Sequence, residues 1–309
     1  MKTAFISHSD CLKHLTPPYH PESSQRLQTI LNRLNNSEFS ELLRVKAPMG
    51  KIKDIMRVHP ERYIKKIGDL KPNHDIISVD ADTYLSSGSY TASLRSVGAI
   101  IKAVDLVMGS KAKNAFCATR PPGHHAEKEK AMGFCLFGSV AIGAKYALEV
   151  YNLNRIAIVD FDVHHGNGTQ NLLWDEPRIL FFSSHQYPLF PGSGASAEIG
   201  LHNNIINLPI SPNTDGSHYI KMLRQKIIPK LFDYRPQLLI LSAGFDAHTQ
   251  DPLSNLNWET KDYATITNLL VKVAAKTCNN RVVSFLEGGY NLTALGDSVE
   301  AHMRVLMEA

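Results

Sequence analysis

Arg155-Ile156-Ala157-Ile158-Val159-Asp160-Phe161-Asp162-Val163-His164-His165-Gly166-Asn167-Gly168 is the stretch on which the fold turns. After Arg155 it runs apolar and largely β-branched to Val159, the pattern of a strand buried on both faces. Polar residues then begin at once. Asp160, Asp162 and His164 stand two apart, so an extended backbone sends all three side chains to one side.

The same pattern recurs outward from this stretch. Asn114 to Ala118 is followed by Arg120-Pro121-Pro122-Gly123-His124-His125, Gln237 to Leu241 by Ala243-Gly244-Phe245-Asp246, and Arg281 to Leu286 by Glu287-Gly288-Gly289-Tyr290. Arg178 to Phe182 is another such run. Between them apolar residues recur at helical steps, as in Leu27, Ile30, Leu31, Leu34 and in Tyr90, Leu94, Val97, Ile101, Val104, Met108. Helices are also predicted over 140–150, 219–231, 263–275 and 292–307. Strands alternating with helices predict an α/β fold whose mostly parallel sheet is covered on both faces. With no repeat, low-complexity tract or linker in view, residues 1–309 read as a single domain. Ligands bind such sheets at the carboxyl ends of the strands, so the four polar clusters predict one site. The longest irregular stretch, 184–203, carries Pro188, Pro191, Gly192, Gly194 and Gly200 and reads as a functional loop.

Bulk properties narrow the partners. The net charge of +4 arises from 33 basic and 29 acidic residues scattered along the chain, too weak a field for direct nucleic-acid binding. Cys11, Cys117, Cys135 and Cys278 form no C-x-x-C pair, which predicts neither a zinc knuckle nor a disulfide framework. The start, Met1 to His8, lacks the apolar core of a signal peptide, and no apolar run is long enough to span a membrane. A cytoplasmic protein without membrane contact is the expectation. Oligomeric state is not legible.

Two carboxylates and an imidazole suit a divalent transition metal, and a catalytic zinc takes three protein ligands with one position left open. Asp162, His164 and Asp246 fill that role. Zinc is the first choice, and Fe2+, Co2+ or manganese also suit the donors. A lone Asp-x-His is common at turns and helix starts; the strand end, the tandem histidines and the third aspartate distinguish this one. Pro121-Pro122-Gly123 makes a rigid turn rather than a helix, so His124 and His125 read as a catalytic pair.

The motifs Arg120 to Ala126, Met132-Gly133-Phe134-Cys135-Leu136-Phe137, Asp160 to Thr169 and Glu287 to Tyr290 together resemble the histone deacetylase, acetoin utilisation protein and acetylpolyamine amidohydrolase superfamily. The match runs from His20-Pro21-Glu22 and Arg26 to Tyr290, and Asn167 with Ala243 to Leu253 is most similar to class II and bacterial members. The resemblance implies the arginase/deacetylase fold, with a sheet of about eight strands. It implies hydrolysis of the amide of an N-acylated amine by metal-activated water, most simply deacetylation of acetyl-lysine in a peptide or protein. Asp162, His164 and Asp246 match the metal ligands, and His124 and His125 match the histidine pair, with Asp160 and Asn167 as their respective partners. Tyr290 matches the tyrosine that donates to the oxyanion. Gly133, Phe134, Phe190 and Leu253 match a narrow substrate tunnel, Asp82 its rim, and Ser183 a K+ site shared with Asp160, Asp162 and His164. Asp160 favours imidazolium on His124, whereas neutral Asn167 leaves His125 free to act as base first and acid second.

Other residues are not promoted. Arg26 reads as a solvated helical arginine, with guidance of departing acetate as its second reading. His248 reads as an exposed structural residue, and His185 and His202 as non-catalytic. Gly138-Ser139 departs from the two asparagines of many class II relatives. The competing readings are an acetylpolyamine or other small acylamide hydrolase, and a non-catalytic metal-stabilised binding protein, from which a ligand or Tyr290 would be missing. A binuclear ureohydrolase would want a further aspartate where His165 and Gly166 stand.

Overall fold

A computed structural model describes residues 1–70, 72, 73 and 75–309. Its strands are β1 (Ala4–Ser7), β2 (Leu43–Lys46), β3 (Ile77–Ser78), β4 (Tyr84–Leu85), β5 (Asn114–Cys117), β6 (Ile156–Asp160), β7 (Ile179–Gln186), β8 (Ile205–Ile210), β9 (Leu238–Ala243) and β10 (Val282–Leu286). The helices are α1 (Ser24–Arg33), α2 (Ile52–Ile55), α3 (Glu61–Asp69), α4 (Ser89–Met108), α5 (Ser139–Val150), α6 (Asn167–Leu173), α7 (Gly216–Met222), α8 (Ile228–Tyr234), α9 (Thr260–Thr277) and α10 (Leu292–Glu308). Eight strands form one sheet in the order β2-β1-β5-β10-β9-β6-β7-β8, and every pairing in it is parallel. β3 and β4 make a separate antiparallel pair.

Alternation along the buried strands builds two cores. Ile156, Ile158, Val283 and Phe285 face one side, where they meet α4 and α5. Ala157, Val159, Val282 and Leu286 face the other, against Leu27 and Ile30 of α1, Ile266 and Leu270 of α9, and Val299 and Met303 of α10. Each fully buried aliphatic side chain contributes about 1.5–3 kcal/mol, so the central strands need no polar outer face. α9 starts on a reciprocal capping box between Glu259 and Asp262. α10 starts where Asn291 Oδ1 accepts the Ala294 N–H at 3.0 Å, which ends the loop carrying Tyr290.

Three sheet strands fall outside the apolar runs read from the sequence. β2, Leu-Arg-Val-Lys, lies at one edge with a half-exposed pattern. β8 forms the other edge and contains Pro209, which lacks an N–H and is tolerated there. β1, Ala-Phe-Ile-Ser, has one β-branched residue. The irregular stretch predicted over 184–203 begins inside a strand, since Ser184, His185 and Gln186 complete β7. The helix predicted over 219–231 is interrupted by a π-turn at Leu223–Ile227, ahead of Pro229, whose ring cannot accept a regular preceding turn. Among the described residues no helix is long and apolar enough to cross a membrane.

Candidate active site

The strands that end in the four polar clusters, β5, β10, β9 and β6, are consecutive neighbours in the sheet. Their carboxyl ends therefore gather His124, His125, Asp160, Asp162, His164, Asp246 and Tyr290 into one region. Asp160, Asp162 and Asp246 are fully buried. A buried carboxylate costs several kcal/mol unless it is paired, so the partners decide what each can do.

Asp162, His164 and Asp246 each offer a ligand atom, and these atoms lie within 4.8 Å of one another. His164 Nδ1 is 3.1 Å from Asp162 Oδ1 and 3.2 Å from Asp246 Oδ2. Main-chain donors orient both carboxylates: Gly288 N–H donates to Asp162 Oδ2 at 2.7 Å, and Val163 N–H to Asp246 Oδ1 at 2.9 Å. A Cβ on Gly288 would overlap Asp246 Oδ2 and crowd Asp162 Oδ2, so glycine is what lets the backbone approach. Burial alone would depress His164, yet the two carboxylates push it up to about 10. The three groups thus draw a positive charge into the space between them. A divalent cation satisfies the same demand, and the donor set fits one.

The histidines are unequal in the way the partners predict. His124 Nδ1 lies 3.0 Å from Asp160 Oδ2, whose other oxygen accepts the Asp162 N–H at 3.1 Å. Burial opposes a charge on His124, but Asp162 and Asp160 raise it well above its ordinary value. His125 Nδ1 lies 2.7 Å from Asn167 Oδ1, while Asn167 Nδ2 donates to Glu127 Oε1 at 2.8 Å. That orientation of the amide makes Nδ1 the protonated nitrogen and leaves Nε2 with a lone pair. Burial, then the neighbouring His124 and His164, push His125 well below the usual imidazole range.

A cavity of about 230 Å³ opens onto these groups, lined by Asp82, His125, Gly133, Phe134, His164, Leu189, Phe190, Leu253 and Tyr290. All five tunnel and rim residues named from the sequence meet here. Gly133 is needed because a Cβ would strike the His125 ring. Phe134 sits at φ 69°, a conformation costing about 1–3 kcal/mol. It is held by its own N–H donating to Thr83 Oγ1 at 3.0 Å, while Gly133 N–H donates to Asp82 Oδ1 at 3.2 Å. Asp82 thus braces the backbone of Gly133 as well as lining the cavity. Tyr290 packs edge-on to Phe134 at 5.7 Å, and Phe190, 41% exposed, lies edge-on to His125 at 5.2 Å. Burial first, then nearby carboxylates, raise the Tyr290 phenol well above its ordinary value, which keeps it a donor.

Ser183 stands opposite Asp160 in the β6–β7 register, and Gly166 N–H donates to its hydroxyl at 3.3 Å. Arg26 is not solvated: it is fully buried, its Nε donates to Gly289 O at 2.6 Å, and its guanidinium lies 4.8 Å from the Tyr290 ring centroid. His248 is buried rather than exposed, with Nδ1 accepting the Gln250 N–H at 3.1 Å, and the candidate metal group found among the described residues is Asp162, His164 and Asp246. His185 is buried against Ser183 and Gly194 O, and His202 pairs with Asp175 on the surface. Gly138 N–H donates to His59 Nε2 at 2.9 Å. In the sequence Glu287 stands out only as the first residue of the Glu287-Gly288-Gly289-Tyr290 motif. Its Oε2 accepts the Gly123 N–H at 2.7 Å and the His124 N–H at 3.2 Å, fixing the histidine turn, and burial pushes its carboxyl up to about 7. An acid ending a buried strand was the available signal.

A family model described as the histone deacetylase domain matches residues 20–306. An uncharacterized protein of Synechocystis sp. is 38% identical over 308 residues, covering 98% of this chain and 99% of its own length. A probable deacetylase of Archaeoglobus fulgidus is 34% identical, covering 94% of this chain and 82% of the relative. Among solved structures, the crystal structure of the HDA15 HD domain is similar with a TM-score of 0.93 at 29% identity, covering 99% of this chain and 88% of that one.

Proposed function

The chain belongs to the histone deacetylase family of deacetylases and amidohydrolases, and on that premise we propose that it deacetylates acetyl-lysine in peptides or proteins, with residues 1–309 acting as one catalytic domain. Its eight-stranded parallel sheet with helices on both faces is the arginase/deacetylase fold. The observation that carries the proposal is the cavity of about 230 Å³, lined by Phe134, Phe190 and Leu253, that has His125, His164 and Tyr290 among its other lining residues.

Asp162, His164 and Asp246 would hold the metal, and zinc, or Fe2+ or Co2+ in its place, would supply Lewis acidity toward the acyl oxygen and a lowered pKa for water. The chain's own residues account for the rest. The apolar walls grip a methylene stem and exclude bulk water. His125 Nε2, unprotonated at rest, takes a proton from the attacking water and returns it to the departing amine, whose solution pKa of about 10.4 makes an unprotonated leaving group unfavourable. The Tyr290 hydroxyl donates to the carbonyl oxygen as negative charge builds there. His124, charged beside Asp160, adds positive potential without giving up its proton. A K+ ion near Asp160, Asp162, His164 and Ser183 belongs to the same reading, as does a reducing cytoplasm, which suits four buried, unpaired thiols.

An acetylpolyamine substrate would call for several carboxylates at the mouth to meet its cationic amines. Among the described residues lining the cavity, Asp82 is the one acid. Turnover of an acetyl-lysine peptide and of N-acetylputrescine by the zinc-loaded protein compares the two: the proposal expects kcat/KM at least about tenfold higher for the peptide, roughly 1.4 kcal/mol, and a preference for the amine refutes it.

A further inference from the structure

One buried carboxylate of this region has no task in the reaction as described. Asp251 is 6% exposed. Its Oδ2 accepts the N–H of Tyr290 at 2.7 Å and of Asn291 at 3.3 Å, and its Oδ1 accepts the N–H of Leu253 at 3.0 Å. Its own N–H donates to His248 O at 2.8 Å. Three main-chain donors thus converge on one carboxyl group, whose ionised form accepts bonds roughly twice as strong as neutral ones.

The loop it holds has little stiffness of its own. The chain leaves β10 through Gly288 and Gly289, the latter at φ 118°, a conformation open to glycine and to few other residues. The peptides before Tyr290 have their own anchors: Glu287 N–H donates to Ala243 O, Gly288 N–H to Asp162 Oδ2, and Gly289 O accepts from Arg26. The Tyr290 amide has Asp251. Phe134 and Arg26 flank the ring and set its plane, but the distance the hydroxyl reaches into the cavity follows from where the main chain is pinned. Leu253, pinned by the other oxygen, lines the same cavity.

Resting on the reading of Tyr290 as the donor to the carbonyl oxygen, we infer that Asp251 is a positioning residue whose carboxylate fixes the main chain of Tyr290 and of Leu253 together, setting the reach of the hydroxyl and the width of the mouth. A displacement of about 1 Å in a reacting group costs on the order of 10²-fold in rate, and that is the loss expected where the carboxylate is removed.

The test is a cycle of four zinc-loaded proteins, wild type, Asp251→Ala, Tyr290→Phe and the double variant, assayed on one acetyl-lysine peptide with zinc content and melting temperature recorded. Asp251→Ala is expected to lower kcat on the order of 10²-fold in the wild-type background and less than about threefold in Tyr290→Phe, because its effect runs through the hydroxyl. An equal factor in both backgrounds, or an unchanged kcat in the single variant, overturns the inference. Asp251→Asn provides a second route should the alanine variant not fold. Its carbonyl goes to the side with two donors and its NH2 faces Leu253 N–H, so kcat stays within about threefold while KM rises several-fold; a KM equal to wild type overturns the inference. If Tyr290→Phe alone keeps wild-type kcat, the reading of Tyr290 fails instead, and the two failures are distinct.

Discussion

Asn167 is the residue that sets the two histidines apart. Its amide oxygen receives the His125 Nδ1 proton without adding charge, whereas His124 faces the carboxylate of Asp160. Asn167→Asp places a negative charge against His125 and raises its pKa, by about one unit or more for a carboxylate in contact. Because the proposed base, His125, acts in its neutral form, the acidic limb of the kcat/KM profile is expected to move to higher pH. A pH-rate profile that coincides with wild type contradicts the division of labour between the two. These pairings were legible in the sequence because they belong to side chains spaced along recognisable motifs. Arg26, Asp251 and Glu287 were not, because each acts on main-chain groups that the order of side chains does not display. A charged residue carries no mark of burial until its partners are known.

The loop after β7 shows how an irregular element becomes rigid enough to form a wall. Glu198 Oε1 accepts the N–H of Gly194 at 3.0 Å and of Ala195 at 2.9 Å, and its Oε2 accepts from Gln170 Nε2. His165 Nδ1 lies 2.8 Å from Ser193 Oγ, and His185 Nε2 3.0 Å from Gly194 O. This latch holds the segment that brings Phe190 to His125. Glu198→Ala frees three donors and loosens the wall without touching a reacting group. KM for an acetyl-lysine peptide is expected to rise about three- to tenfold, on the order of 1 kcal/mol, with kcat changed less than twofold. A fall in kcat at constant KM would place Glu198 in the chemistry instead. The loop itself was legible from its prolines and glycines, but its latch was not, since Gln170 and His185 lie in other elements. Among strands, the central runs declared themselves through unbroken β-branched residues, whereas the edges β2 and β8 carry Arg44, Lys46 and Pro209, residues that blunt an edge and also mask it.

For the whole molecule, four neighbouring parallel strands deliver every proposed catalytic group to one sheet edge, and that convergence followed from the alternation of apolar runs and helices together with the polar clusters at the strand ends. Burying both faces of the sheet also buries imidazoles that stay neutral. His59 receives Gly138 N–H on Nε2 and is pushed down to about 4 by burial; His302, between Thr267 and Ser284, is pushed down to about 3. Both lie below the unfolded value of about 6.5, so the unfolded chain takes up more protons as pH falls. Their stabilising contribution is complete above about pH 7 and is lost as pH falls from 6.5 toward 4, roughly 2 kcal/mol for each at pH 5. The melting temperature is expected to drop by several degrees between pH 7 and pH 5; a flat profile would show that these imidazoles accept protons in place.

The central claim is that Asp162, His164 and Asp246 hold a metal on which deacylation depends. It is tested most directly by measuring deacetylation of an acetyl-lysine peptide by the same preparation as purified, after chelation and dialysis, and after addition of one equivalent of zinc. The account predicts turnover that falls at least about 10²-fold on stripping and returns with the added zinc. Full turnover by the stripped protein would contradict it.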